Sequence, residues 1–202
     1  MVLENYPIPL KGELSQKYAD YVMTCDSYVE VSAQSPMWGL DCEMCMTPAG
    51  SELTRVTVVN EQHEVVYNSL VKPYNPITNY LTKFSGITKK MLEDVNTRLE
   101  DVQRDLRAII PPDCILVGQS LNMDLHALKM IHPYVIDTSI VFNISGERSR
   151  KSKLRVLVLE FLSETIQGSD KGHDSKEDAI SALKLVQKKL QHSTYYICRY
   201  RF

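Results

Sequence analysis

The chain has 202 residues, of which 44% are hydrophobic and 24% are charged. This composition is ordinary for a globular protein, and the length is sufficient for one domain with a sizeable core. Apolar runs fall short of the ~18 residues that span a membrane, and residues 1–11 lack the pattern of a secretory signal. The five cysteines are scattered, which is typical of reduced thiols in the cytosol or nucleus. We therefore expect neither a membrane-spanning helix nor a disulfide framework.

The first part of the chain predicts an extension followed by antiparallel strands. Residues 1–35 are expected to form an N-terminal extension packed on the domain, in which residues 14–23 are compatible with a short helix. Ser35 and Pro36 mark a break before the first strand. Three strands with short polar links follow, over residues 38–44, 52–59 and 64–71. These links indicate hairpins, so this part of the sheet is predicted to be an antiparallel meander.

The second part of the chain alternates helices and strands. A long loop with Pro73 and Pro76 leads to Thr88, which is placed to cap a short helix. The next elements are predicted as a helix over residues 97–110, a strand over 114–117, a helix over 121–131, a strand over 134–137, and helices over 154–166 and 175–190. Together with the meander, this order predicts an α/β domain with a mixed sheet over residues 36–191. Residues 192–202 form an aromatic and basic C-terminal tail.

Two acids lie on the first predicted strand with a spacing of two. Side chains alternate along a strand, so Asp41 and Glu43 face the same side, among apolar neighbours. Ionised carboxylates beside a core are costly and repel each other, and a hard divalent cation such as Mg²⁺ or Mn²⁺ resolves both problems. The alternative is an edge strand with two solvated acids, which is the commoner explanation of an isolated Asp-x-Glu pair.

Three further residues extend this pattern along the chain. Asp124 lies early in a helix that follows an apolar strand, and sites in α/β sheets form at strand ends. His173 lies in a glycine-flanked loop, and Asp178 follows in the last long helix. Each residue has an ordinary explanation, since an acid in a first helical turn complements the helix dipole and a loop histidine is often a surface residue. The complete ordered set is much less expected by chance.

The order Asp-x-Glu, a later Asp and then His-x₄-Asp resembles the DEDDh 3′–5′ exonucleases, which have RNase H-type folds. Shorter segments are similar to the Rex-type RNA exonucleases. The similar segments are residues 39–44, 52–56, 71–73, 84–88, 118–121, 124–125, 136–138, 173–175 and 177–179, within a region of about 36–190. Gln119 departs from the family pattern, in which histidine is frequent there, but it is not one of the five catalytic positions.

The resemblance implies a central mixed sheet of five strands, three antiparallel and two parallel, flanked by helices. It also implies a phosphodiester hydrolase that uses two ions of Mg²⁺ or Mn²⁺ and releases nucleoside 5′-monophosphates from RNA 3′ ends, most simply in trimming non-coding RNA. The acids carried over by motif would be both catalytic residues and metal ligands. They are Asp41, Glu43, Asp124 and Asp178. His173 would complete the catalytic set by taking a proton from the attacking water.

The resemblance also suggests contacts with a substrate that has a free 3′-hydroxyl. Glu43 and the backbone around Met44 would contact the terminal nucleotide. Phe84 and Ile87 flank Gly86 and are candidates to pack on a base, although core packing explains Phe84 equally well. A basic cluster would contact upstream phosphates or, alternatively, form a solvated loop. It consists of Arg148, Arg150, Lys151, Lys153 and Arg155.

The net charge of −2 at first disfavours a nucleic-acid ligand. If four acids belong to a metal site, however, the rest of the chain is mildly basic and compatible with a phosphodiester. Two alternatives stay open: an exonuclease that prefers single-stranded DNA, and a non-catalytic nucleic-acid-binding module on the same fold. A nuclear or nucleolar location is an expectation from the resemblance alone, and the sequence leaves the oligomeric state undetermined.

Overall fold

The structure is a computed structural model that describes residues 5–7, 17–144, 146–147, 150–168 and 172–196. Its elements are, in chain order, β1 (Val22–Met23), β2 (Met37–Thr47), β3 (Gly50–Val59), β4 (Val65–Leu70), α1 (Thr82–Ser85), α2 (Leu99–Ile109), β5 (Ile115–Gly118), α3 (Asn122–Ala127), β6 (Met130–Ile131), β7 (Val135–Asp137), α4 (Thr138–Val141), α5 (Leu154–Leu162) and α6 (Ser175–Tyr196). A 3₁₀ turn, Lys90–Leu92, takes the place of the short helix predicted after Thr88.

Five strands form the central sheet in the order β4–β3–β2–β5–β7. β3 pairs antiparallel with both β2 and β4, whereas β5 and β7 extend the sheet on the other side of β2 as parallel strands. The predicted mixed sheet of three antiparallel and two parallel strands is therefore confirmed. β2 lies in the middle of this sheet and connects its antiparallel half to its parallel half.

The end of β5 determines which elements surround the acids of β2. β5 pairs with β2 through Met37, Trp38 and Gly39, and β2 continues beyond the last of these pairs. On the β5 side of β2, Cys42 is therefore approached by α3 instead of a paired strand. Its backbone N–H donates to the side chain of Asp124, with 2.8 Å between N and Oδ1. The short parallel strand thus allows an acid from α3 to reach the predicted Asp-x-Glu pair.

The two faces of the sheet are covered by different helices. Leu40 and Cys42 belong to a buried cluster that includes residues of α2 and α3. A second cluster is formed by α5 and α6 against β3 and β5. Because side chains alternate along β2, Asp41 and Glu43 face the side on which α6 begins. The alternation predicted from sequence therefore directs both acids toward the helix that carries Asp178.

The helix predicted over residues 121–131 is wrong in its second half. α3 ends at Ala127, and Lys129 has a left-handed conformation with φ of 47°. The next two residues form β6, which pairs in parallel with β1. The strand β1 also shows that the helix suggested for residues 14–23 is wrong at its end, while residues 14–16 lie outside the described part of the chain. Strand pairing with a segment distant in sequence overrides the local helical pattern.

The last two helices differ from their predicted lengths. The helix predicted over residues 154–166 ends at Leu162, because Ser163 adopts a left-handed conformation with φ of 57°. The final helix continues to Tyr196 and so includes the beginning of the predicted tail, whereas residues 197–202 lie outside the described residues. Among the helices described, none combines the length and apolar character needed to cross a membrane.

Two parts of the N-terminal segment contact the domain. Tyr6 is buried, and its hydroxyl donates to Asp137 at the end of β7, with 2.9 Å between the oxygens. Thr24 Oγ1 lies 2.6 Å from Nδ1 of His132. His132 is fully buried, and burial lowers its pKa to about 4, so the imidazole is neutral at physiological pH. These contacts join the chain before β2 to the parallel half of the sheet.

Gly39 on β2 faces α6 at very short range. A Cβ atom at this position would lie 2.5 Å from the carbonyl oxygen of Ala179 and 2.8 Å from Cγ2 of Val59. The Gly39→Ala substitution should therefore force the strand and the helix apart and lower the free energy of unfolding by about 1–3 kcal/mol in chemical denaturation. Gly168→Ala is the matched control, because a Cβ there meets nothing within 4 Å. Equal stability of the two variants would contradict this packing.

Candidate active site

Four acids from three elements are brought together beside β2. Glu43, Asp124 and Asp178 are buried, with 8%, 3% and 5% of their surfaces exposed, and Asp41 is partly buried. They come from β2, α3 and the first turn of α6. Their separation along the chain is large, so the sheet topology rather than the local sequence produces this cluster.

The acids strongly affect one another's ionisation. Desolvation, followed by the charges of Asp124 and Asp178, raises the pKa of Asp41 well above its usual range. Burial, followed by repulsion from Asp178 and Asp124, raises the pKa of Glu43 to about 9. Desolvation is the largest cause in both cases, and the neighbouring negative charges add to it. Such clusters of perturbed acids are characteristic of functional sites.

The chemistry of this cluster fits a hard divalent cation. Oε1 of Glu43 is buried and has no hydrogen-bond partner within the described residues. A buried carboxylate oxygen without a donor, in a region of excess negative charge, is the kind of ligand that Mg²⁺ or Mn²⁺ prefers. Across the described ranges, no three acids, histidines or cysteines already surround one point closely enough to hold an ion. Small movements of the acidic side chains would therefore accompany binding.

His173 stands beside the acids on the loop before α6. Its Nδ1 lies 3.5 Å from Oδ2 of Asp178, and its backbone N–H donates to the carbonyl oxygen of Phe84, with 2.6 Å between N and O. Burial lowers the pKa of His173, and the negative charge of Glu177 acts in the opposite direction. A neutral imidazole at the edge of an acidic cluster can accept a proton.

The loop of His173 is packed closely against the loop that carries Phe84. Gly172 has φ of 96°, and a Cβ on it would lie 2.3 Å from the backbone nitrogen of Gly86. Only a residue without a side chain allows this approach of one backbone to the other. The close contact, together with the His173–Phe84 hydrogen bond, fixes the two loops relative to each other.

A cleft of about 980 Å³ leads to this cluster. Asp41, Asp178 and His173 line this cleft, and so does Phe84, which has 61% of its surface exposed. The alternative that Phe84 packs in the core is therefore wrong. Ile87, the other residue suggested for base contact, is 1% exposed, so its side chain is enclosed by protein.

The remaining predicted substrate contacts are placed as follows. The side chain of Met44 packs against the buried cluster that includes Leu40. Lys151 lines the cleft, and its Nζ is 3.8 Å from Oδ2 of Asp137. Lys153 and Arg155 line the same cleft. The backbone N–H of Arg150 donates to the carbonyl oxygen of Glu147, and Arg148 lies outside the described residues.

Two glutamines at the site were not assigned a role from sequence. Nε2 of Gln167 donates to the carboxylate of Asp178, and Nε2 of Gln119 donates to the carbonyl oxygen of Ser152 in the basic loop. Gln167 follows a helix end and precedes a glycine. This context indicates a turn, but it does not indicate which residue the side chain of Gln167 binds. The departure from the family pattern is the only sequence signal at Gln119. The structure shows that this residue links the end of β5 to the loop that carries the basic cluster.

This combination of a mixed sheet, clustered acids and a loop histidine agrees with a comparison against protein families. The profile of the exonuclease family (RNase_T) matches residues 39–186. The chain therefore belongs to the exonuclease family, and its fold is RNase H-like.

The individual relatives are similar to this chain over most of its length. It is 47% identical over 197 residues to RNA exonuclease 5 of Bos taurus, which covers 94% of this chain and 24% of that protein. It is 53% identical over 163 residues to RNA exonuclease 5 of Homo sapiens, covering 80% of this chain and 21% of that protein. The chain thus spans about a quarter of the length of these curated relatives.

Solved structures share the same fold. The catalytic unit of Neurospora crassa Pan2, with protease and nuclease domains, superposes with a TM-score of 0.71 at 26% identity, over 84% of this chain and 30% of that chain. The Saccharomyces cerevisiae Pan2 module in complex with A7 RNA gives a TM-score of 0.70 at 24% identity, over 86% of this chain and 32% of that chain. The second likeness concerns the fold alone.

The burial of Glu43, together with repulsion from neighbouring acids, predicts an unusual pH dependence of stability in metal-free protein. Its pKa rises from the usual 4.5 to about 9 on folding. Between these values the unfolded state binds fewer protons than the folded state, so the contribution of Glu43 makes stability fall as pH rises from about 5 to about 9. Glu43→Gln should flatten this fall in denaturation experiments with chelator present. Glu30→Gln, at an exposed acid before β2, should keep the wild-type slope, and an unchanged slope in Glu43→Gln would refute the assignment.

Proposed function

We propose that this domain is a metal-dependent 3′–5′ exoribonuclease that releases nucleoside 5′-monophosphates and trims non-coding RNA. The observation that carries the proposal is the cluster of four buried or partly buried acids with His173 beside it, of which Asp41, Asp178 and His173 line one cleft. Membership of the exonuclease family and the names of the relatives support RNA as the substrate. The location that this proposal suggests is the nucleus or nucleolus.

The four acids would hold two ions of Mg²⁺ or Mn²⁺. Asp41, Glu43, Asp124 and Asp178 would supply the carboxylate oxygens that hold these ions. Bound divalent ions stabilise the attacking and leaving oxygens of a phosphodiester during in-line displacement. The unpaired Oε1 of Glu43 supports this role, because a cation supplies the partner that the protein does not.

His173 would act as the general base of the DEDDh type. Its imidazole stands beside Asp178 at the cleft and would take the proton of the attacking water. The hydrogen bond from its backbone N–H to Phe84 holds the histidine loop to the loop on which the terminal base would pack. The position of the terminal nucleotide would therefore be coupled, through these two loops, to the position of the His173 imidazole.

The 3′ end would be recognised in the part of the cleft that is lined by Asp41, Asp178 and His173. Glu43 and the backbone of Met44 would contact the terminal nucleotide and its free 3′-hydroxyl. Phe84 would pack on a base, and Ile87 would contribute by supporting this loop, since its own side chain is buried. The upstream phosphates would be contacted by basic side chains. These are Arg148, Arg150 and Lys151.

Removal of the catalytic groups should abolish shortening of RNA. Asp178→Asn should reduce the rate on 5′-labelled single-stranded RNA to background, and His173→Ala should reduce it at least ~100-fold, because proton transfer is lost. Products on a denaturing gel with Mg²⁺, Mn²⁺ or chelator provide the measurement. Glu160→Gln, at an exposed acid of α5, is the control.

The substrate in that assay also tests polarity and sugar preference. A 3′-phosphate should block shortening, and the matching DNA should be a poorer substrate than RNA. Faster cleavage of DNA would contradict the choice of RNA. Binding of RNA without any metal-dependent product would favour the non-catalytic alternative.

Phe84 provides a test of substrate contact that is separate from the chemistry. Because 61% of its surface is exposed, Phe84→Ala should leave thermal stability nearly unchanged. Loss of one stacked base contact of about 1–3 kcal/mol should raise KM for RNA about 5- to 150-fold. Leu159→Ala, at an apolar residue of α5 with the same exposure, is the control in steady-state kinetics. A KM that does not change in Phe84→Ala would remove Phe84 from the substrate site.

A further inference from the structure

Asp178 has both oxygens of its carboxylate covered by one side chain. Nε2 of Gln167 lies 3.0 Å from Oδ1 and 2.8 Å from Oδ2 of Asp178. A nitrogen nearly equidistant from both oxygens of one carboxylate occupies the place where a cation chelated by both oxygens would lie. Nδ1 of His173 lies 3.5 Å from Oδ2 of the same carboxylate.

The backbone holds Gln167 in the position from which it reaches Asp178. Its φ is 56°, a left-handed conformation that is unfavourable for residues other than glycine and asparagine. Its backbone N–H donates to Oε2 of Glu177, with 2.8 Å between N and O. The first turn of α6 therefore accepts hydrogen bonds from both the backbone and the side chain of this glutamine. Surrounding contacts of this kind are what maintain an unfavourable backbone conformation.

The other buried acids of the cluster are covered differently. Glu43 leaves Oε1 without a partner within the described residues, and Asp124 accepts the backbone N–H of Cys42 at Oδ1. A backbone N–H within a sheet is fixed, whereas a side-chain amide can rotate away from its acceptor. Asp178 is thus a proposed metal ligand to which access depends on the rotation of one side chain.

We propose that Gln167 is a positioning residue that caps Asp178 in the metal-free protein and withdraws its amide when a cation binds there. The proposal rests on the metal-dependent function proposed above. Gln167 lines the same cleft as Asp41, His173 and Asp178, so the amide has open space beside it into which it can turn.

Competition between the amide and the cation determines the expected effect of removing Gln167. Without the amide, the buried carboxylate of Asp178 loses its donor and the metal-free protein becomes less stable. The metal-bound protein is little affected, because the amide has already left the carboxylate. Cation binding should therefore become tighter. A glutamine with a purely structural role would destabilise both forms equally and leave the affinity unchanged.

Calorimetric titration of Mn²⁺ into metal-free full-length chain, without RNA, tests the cap. Gln167→Leu keeps much of the side-chain volume but removes the amide. At about pH 8, held the same for every variant, its Kd for Mn²⁺ should be at least ~3-fold lower than that of the wild type. Gln187→Leu removes an amide from α6 that donates to the carbonyl oxygen of Glu61, and it should leave the Kd unchanged. Equal or weaker binding by Gln167→Leu overturns the proposal.

Thermal unfolding supplies a second readout that does not depend on activity. Metal-free Gln167→Leu should unfold at a lower temperature than the wild type. Saturating Mn²⁺ should raise the Tm of this variant by more than it raises the Tm of the wild type. An equal loss of Tm with and without Mn²⁺ would show a structural role and overturn the cap. If neither the wild type nor any variant binds Mn²⁺, both the metal-dependent function and the cap are refuted. If the wild type and Gln167→Leu bind Mn²⁺ equally well, only the cap is refuted.

Discussion

The main constraint on this structure is that several carboxylates of like charge have to be held close together inside the protein. Desolvation and mutual repulsion raise the pKa of Asp41 and of Glu43, so this cluster opposes folding when its members are ionised. The surrounding sheet and helices must supply enough stability to offset this cost. The position of β2 between β3 and β5, and the tight contact of Gly39 with α6, keep the acids from moving apart. A cation would relieve the repulsion and turn an unfavourable cluster into a working site.

The loops around the cleft are connected through their backbones. The close approach of Gly172 to Gly86 and the hydrogen bond from His173 to Phe84 join the loop of the proposed base to the loop of the exposed aromatic ring. Gln119 also lines the cleft and joins the end of β5 to Ser152, between the basic residues Lys151 and Lys153. The first two contacts involve only backbone groups, which the fold holds in place, whereas the third depends on a side-chain amide.

Sequence patterns predicted the parts of the fold in which local preference and tertiary pairing agree. The alternating strands and their short polar links gave the meander, and the acids on β2 were assigned to one face because of the two-residue period. The same reasoning failed at β6, where a helical pattern gave way to pairing with β1. The resemblance made Ile87 a candidate to pack on a base, and the structure places its side chain among buried residues. In both cases, the deciding contacts come from residues distant along the chain.

The sequence by itself determined the family, the identity and order of the acids and of His173, and the alternation that places Asp41 and Glu43 on one face. These features depend on residue type and on short spacings, which a linear chain contains. Only the tertiary structure decided that β5 ends where Asp124 can reach Cys42, that Phe84 is exposed, and that the amide of Gln167 covers Asp178. The physical reason is that hydrogen bonds and burial between distant elements depend on how the sheet and helices pack, and no local pattern specifies those distances.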